Sequence, residues 1–246
     1  MSEQLQLSPE INQGLQEFVN SARGAFGDDL LSVVLFGSAA EGRLRKVSDI
    51  NLILVLNRFD RQKADMVREP LRLAHASIRL DVMFLLVSEI EQAMEAFAVK
   101  FSDIMVRRRV LFGPDPFSTL TIPPDAVRRR TVQTLLNIMI RLRNRYVLVS
   151  LREEKLAVVA AETVGSLRAC ALSLLSLEGR EAASPREALA IMLSEMGMPN
   201  PEEIERLIDN ARREGFLPAG SAANLLFSLM AVAEAMHRRL SDAESV

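Results

Sequence analysis

The sequence predicts an α/β domain followed by an all-helical one, and three observations carry that expectation. Short apolar runs at 31–36, 50–56 and 78–87 alternate with amphipathic stretches in the first half. Two proline clusters, Gly113-Pro114-Asp115-Pro116 and Pro123-Pro124, then interrupt the chain. Beyond them no stretch reads as a strand, and apolar residues recur at helical steps. The boundary is placed so that residues 1–118 form the α/β domain and residues 119–246 a helical bundle.

Taken in order, Ser8 and Pro9 read as an N-cap and first-turn proline, opening a helix to about Phe26. Leu31–Phe36 is a short buried strand ending at Gly37, and Ser38 to Gly42 a helical turn. Ile50–Leu56 is uninterrupted and apolar, the pattern of a strand covered on both faces. Arg61–Ala74 reads as a helix and Ile78–Val87 as a further strand. Ser88 stands three residues before Glu91, a capping-box spacing that predicts a helix start. Strand, crossover and strand give a small sheet with helices. In the second half Val132, Leu135, Met139, Leu142, Tyr146 and Val149 line one helical face. Leu156–Leu177, Pro185–Glu195, Pro201–Glu214 and Ala219–Leu240 supply four more helices.

Bulk properties exclude several classes. With 30 basic and 32 acidic residues the net charge is −2, so no general DNA-coating field exists. The single cysteine, Cys170, excludes an internal disulfide and a cysteine zinc cage, and its apolar neighbours predict a buried thiol. MSEQLQLSPE lacks the marks of a signal peptide, and no run approaches about 18 uncharged apolar residues. The expected location is the cytoplasm, with no membrane partner.

The chemistry concentrates at residues 37–51, Gly-Ser-Ala-Ala-Glu-Gly-Arg-Leu-Arg-Lys-Val-Ser-Asp-Ile-Asn, followed by Arg79-Leu80-Asp81-Val82. Gly37 lets backbone approach a ligand, Ser38 offers a hydroxyl, and amides of the next turn can meet a phosphate. Asp49 and Asn51, two apart on a strand, share a face, and Asp81 can join them from a neighbouring strand. Magnesium is held by such oxygens together with substrate phosphates. Arg43, Arg45 and Lys46, in the loop between, can either neutralise phosphate charge or sit in solvent. Arg79 shares strand parity with Asp81, and either faces solvent, pairs with Asp81, or reaches into the space of a missing metal.

Gly37-Ser38, Ser48-Asp49-Ile50-Asn51 and Asp81 resemble the signature of the DNA polymerase β-like nucleotidyltransferase superfamily, most closely its bacterial minimal and aminoglycoside-type members. The resemblance covers roughly residues 30–112, and Arg109–Pro116 resembles the close of that catalytic module. It implies a nucleotidyltransferase fold with an appended helical bundle. It further implies that Gly37 and Ser38 hold the β,γ-phosphates of a nucleoside triphosphate. Asp49 and the residue at 51 would bind Mg2+, and Asp81 would bind the catalytic ion and help activate an acceptor hydroxyl. A nucleoside monophosphate would pass to that acceptor, a small molecule, protein or RNA, with release of pyrophosphate. Asn51 departs from the pattern, because an amide ligates magnesium without contributing charge. The alternative is therefore a catalytically degenerate nucleotide-binding or interaction protein, and a third reading is a structural homo-oligomer built on the bundle.

In the bundle, Asn137, Arg141, Asn144 and Arg145 lie off the apolar stripe, as an exposed face or as an acceptor-side surface. Glu162, set among Val158, Val159, Ala160, Ala161 and Val164, reads as the partner of Arg141 or Arg145 in a structural pair, or as a base for the acceptor. His75 and His237 are isolated surface or packing residues. Met192, Met196, Met198, Met230 and Met236 read as core filler.

Overall fold

The computed structural model describes residues 7–42, 49–215 and 217–242. The chain forms two compact units, Met1–Met94 with Asp103–Thr121, and Glu95–Ser102 with Ile122–Val246. The passage from one to the other at residue 122 comes directly before Pro123-Pro124, while the short stretch 95–102 packs with the helical unit.

The first unit begins with α1 (Pro9–Phe26), where the Ser8 hydroxyl accepts from the Ile11 N–H at 3.4 Å. Next come β1 (Leu30–Phe36), a 3-10 turn over Gly37–Ala39, β2 (Ile50–Leu56), α2 (Arg61–Ile78) and β3 (Leu80–Leu86). Asp60 caps α2 by accepting from the Lys63 N–H at 3.1 Å. The strands order as β3-β2-β1-β4, where β4 is Arg108–Phe112. β1 pairs antiparallel with β2 and β4, and β2 pairs parallel with β3, so the sheet is mixed. Its centre is dry, as the apolar run predicted: Leu52, Ile53, Leu54 and Leu56 are fully buried. Phe18 and Phe26 of α1 and Val67 and Ala74 of α2 join Leu35, Leu52 and Leu54 in one core. Asp29, buried in the 3-10 turn just before β1, is neutralised by Lys63 at 2.5 Å and Arg58 at 3.3 Å, as a buried carboxylate requires.

Several sequence expectations need correction. α2 runs on through Pro70 to Ile78, not Ala74, and β3 starts at Leu80. Ser88 caps no helix: Val87–Glu89 is a 3-10 turn in which Glu89, not Glu91, accepts from the Leu86 N–H at 3.0 Å, and α3 (Ile90–Ala96) follows. α4 (Ala98–Val106) and β4 were not foreseen.

The second unit contains α5 (Pro124–Val149), α6 (Glu153–Leu177), α7 (Pro185–Glu195), α8 (Pro201–Glu214) and α9 (Ala222–Asp242). The α5 stripe is interior: Leu135, Met139 and Leu142 are buried, and Val132, Tyr146 and Val149 pack on the same core. α6 is long and apolar enough to cross a membrane by length and composition. Its apolar side is nonetheless spent on the bundle, with Leu156, Val164, Leu167, Leu174 and Leu175 all at 1% exposure or less. Met192 and Met236 are fully buried and Met196, Met198 and Met230 pack against them, so the methionines fill core.

Two predictions arise from this packing. Burial pushes the Cys170 thiol up to about 12, and a thiol without thiolate is not a nucleophile. Native protein should therefore resist a thiol reagent and label only on unfolding; rapid native labelling would contradict the buried placement. Glu195 is held down to about 2 by hydrogen bonds from Arg180 and then Arg239. Arg239 also grips Glu178 at 2.7 Å, so one network joins the ends of α6 and α7 to α9. A lowered carboxyl stabilises the fold above its unfolded value of 4.5 and loses that contribution as pH falls toward about 2. Thermal melts across that window should show a shallower acid loss for Glu195→Gln than for wild type.

Candidate active site

One end of the sheet gathers the predicted residues. Phe36, the last residue of β1, pairs with Asn51 of β2. Asn51 pairs in turn with Asp81 of β3. Three neighbouring strands therefore set the Gly37-Ser38 turn, Asn51 and Asp81 in a row, with Asp49 one step before β2. The burial alternates as a strand demands: Ile50 and Leu52 are buried, Asn51 is half-buried, and Asp49 and Asp81 are exposed.

Each member is held differently. Gly37 adopts φ +76°, a conformation glycine reaches without strain. Its N–H, however, donates to the Arg107 carbonyl at 2.9 Å and is not available to an anion. Arg107 is itself fixed by Asp103 and by Glu41 at 3.3 Å, which ties the glycine-serine turn to the end of α4. The Ser38 hydroxyl makes no hydrogen bond among the described residues, so it remains a candidate phosphate donor. Asn51 donates its amide N–H to the Asp49 carbonyl at 3.3 Å. Asp81 makes no ion pair or hydrogen bond among the described residues. Arg43, Arg45 and Lys46, with Ser48, lie outside the described residues.

Arg79 is the residue the sequence misplaced. It is not on β3 and does not pair with Asp81. It ends α2 in the left-handed region at φ 55°, and its side chain lies on Asp49, Nε at 2.9 Å and Nη2 at 2.8 Å from Oδ1. The Arg79 carbonyl accepts from the Ile50 N–H at 3.1 Å, so its backbone is fixed next to Asp49. Both side chains are more than half exposed, and such a pair contributes about 0.5 kcal/mol. A non-glycine residue in this conformation costs about 1 kcal/mol or more. The left-handed backbone is accounted for by capping, since the Arg79 N–H donates to the Ala74 and His75 carbonyls at the end of α2, and the exposed side-chain pair adds little to stability. Sequence held one faint signal: no glycine or asparagine stands between α2 and β3, so another residue had to take the left-handed position.

The donor set bears on metal. Asp49 and Asp81 offer carboxylates and Asn51 an amide oxygen, while among the described residues no group of three His, Cys, Asp or Glu side chains converges on a metal position. Two carboxylates and an amide suit one magnesium ion shared with phosphate oxygens, not a cage of protein ligands.

In the helical unit, Arg141, Arg145, Glu162, Thr163 and Ser166 line a cavity of about 220 Å³ between α5 and α6. Glu162 is exposed, not sunk among apolar neighbours, and meets Arg145 at 3.7 Å. The expected pair exists but is loose. Asn137, Arg141 and Asn144 are exposed, and Arg141 has no partner among the described residues.

Comparison with known proteins agrees with the resemblance read from the sequence. No family model matches the chain. A candidate protein adenylyltransferase of Methanocaldococcus jannaschii is 36% identical over 55 residues, 22% of this chain and 37% of that protein. The match thus spans little more than a third of the relative's length. The spectinomycin adenyltransferase of Enterococcus faecialis, solved with ATP and spectinomycin, superposes with a TM-score of 0.63 at 13% identity, covering 94% of this chain and 99% of the other. At that identity the likeness is one of fold, and the fold is the nucleotidyltransferase type with its helical region.

Proposed function

We propose that this chain, built on the nucleotidyltransferase fold, moves a nucleoside monophosphate from a triphosphate to a hydroxyl acceptor. The observation that carries the reading is the row across β1, β2 and β3, which brings the glycine-serine turn, Asn51 and Asp81 to one end of the sheet with Asp49 beside them. The M. jannaschii relative and the ATP-bound neighbour favour ATP as the donor.

In this reading the Gly37-Ser38 turn receives the β,γ-phosphates, with Ser38 donating its hydroxyl. Arg43 and Lys46 are proposed to neutralise phosphate charge. Asp49, Asn51 and Asp81 would hold Mg2+, which when bound polarises the α-phosphate and lowers the pKa of a nearby hydroxyl. Asp81, exposed and without a partner among the described residues, takes the acceptor's proton as its oxygen attacks the α-phosphorus. Pyrophosphate leaves. Arg141 and Glu162, which line the α5–α6 cavity of the helical unit, are proposed as acceptor-side residues.

A second reading has its own support. Asn51 lacks the charge of a third carboxylate, and Arg79 covers Asp49, so the chain would bind nucleotide without turning it over. Calorimetric titration with a non-hydrolysable ATP analogue, with and without Mg2+, tests what both readings share. Binding that needs Mg2+ and is lost in Asp49→Ala is the expected result. Absence of binding to any nucleoside triphosphate would remove both. A transfer assay over a panel of hydroxyl acceptors then separates them, since only the enzyme releases pyrophosphate.

A further inference from the structure

One polar contact at the candidate site is left unused by the proposed chemistry. Two guanidinium nitrogens of Arg79 converge on a single oxygen of Asp49, at 2.9 and 2.8 Å. Asp49 is a carboxylate assigned to magnesium, and Arg79 is a cation already seated on it. The arrangement is fixed from both sides of the backbone: the Arg79 N–H donates to the His75 carbonyl at 3.0 Å and its carbonyl accepts from Ile50 at 3.1 Å. Position 51 supplies the complementary half of the observation, because Asn51 removes one negative charge where Arg79 adds one positive charge.

We propose that Arg79 is a resident cation of this site, neutralising Asp49 in the nucleotide-free protein so that a divalent ion binds appreciably only together with a triphosphate. The inference deepens the functional reading above and rests on its assignment of Asp49. Two carboxylates and one guanidinium leave a single net negative charge around Asp49, Asn51, Asp81 and Arg79. That is a weak draw for an ion that surrenders its water reluctantly. A triphosphate changes both sides of the balance. Its oxygens supply ligands for the ion, and they offer the guanidinium a bidentate partner as good as the carboxylate it leaves. The Asp49 Oδ2 atom has no partner among the described residues, so it is open to a ligand while Oδ1 is engaged.

The test reads metal binding, not turnover. Free Mn2+ is counted by its electron paramagnetic resonance signal during titration of the full chain, first alone and then with a non-hydrolysable ATP analogue. Wild type is compared with Arg79→Gly, which removes the side chain and suits the left-handed backbone, with Arg79→Lys, which keeps the charge, and with Arg79→Gly/Asp49→Ala. Without nucleotide, Arg79→Gly should bind Mn2+ about tenfold more tightly than wild type, within the usual range of coupling between sites. Arg79→Lys should stay near wild type, and the double variant should lose the gain. With the analogue present, the advantage of Arg79→Gly should shrink. Equal Mn2+ affinity of wild type and Arg79→Gly in the nucleotide-free arm overturns the inference, as does a gain that survives loss of Asp49. Failure of the functional reading looks different: neither protein binds the analogue at all, whatever Mn2+ does alone. Circular dichroism melts of each variant establish that the fold is intact.

Discussion

Asp81→Asn is expected to lower nucleotidyl transfer by about a thousandfold, the scale seen when a preorganised charged or donor group is removed from a reaction centre. Asn51→Asp is expected to move the rate the other way, by about tenfold. The two changes are mirror images on paired positions of β2 and β3. One removes a carboxylate that has no partner among the described residues; the other adds one where an amide now donates to the Asp49 carbonyl. Neither side chain is buried, so neither change should disturb packing, and unaltered melting curves would make the rates interpretable. Pyrophosphate release, measured with ATP and any acceptor that wild type uses, provides the readout. If wild type and both variants are equally silent across acceptors while the ATP analogue still binds, the nucleotide-binding reading replaces the enzyme. If Asp81→Asn is as active as wild type, the role given to Asp81 is wrong.

The legibility of these residues in the sequence follows from how local their causes are. β2 was readable because Ile50 and the run Leu52–Leu56 need no partner to declare themselves: a strand dry on both faces is apolar at almost every position. β4 was hidden because Arg108 and Arg109, following Arg107, leave only a three-residue apolar run, Val110-Leu111-Phe112, too short to read as a strand. The engaged amide of Gly37 depends on that same hidden segment, since its acceptor is Arg107. Arg79 was misplaced because arginine seldom takes a left-handed backbone, and moving the strand start by two residues turned an assumed Asp81 neighbour into an Asp49 partner. Glu162 misled through composition: Val158, Glu162, Gly165 and Ser166 form an exposed stripe at helical spacing, and attention to that period would have set Glu162 outside.

Gly113→Ala is expected to destabilise the first unit by about 3 kcal/mol or more, in the range that only a few mechanisms reach. Gly113 directly follows β4 with φ +75°, where an alanine is already strained. The decisive term is space. A Cβ at this position would stand 2.0 Å from the Leu31 carbonyl oxygen, 3.0 Å from its carbon and 3.1 Å from the Ser32 Cα. All three are backbone atoms of β1, so no side chain can swing aside. The surroundings are also tied down, because the Ser32 hydroxyl bridges the Phe112 and Pro114 carbonyls at 3.0 and 2.8 Å on either side of the glycine. Relief would have to come from prising β4 away from β1, and that movement reaches the candidate site. Phe36 pairs with Arg108 on one side and Asn51 on the other, and Gly37 is bonded to Arg107. The variant should therefore lose triphosphate binding at temperatures where the helical unit still gives its circular dichroism signal. Chemical denaturation of Gly113→Ala beside wild type measures the loss, and a midpoint within error of wild type would show that β1 and β4 yield far more easily than their hydrogen bonds imply.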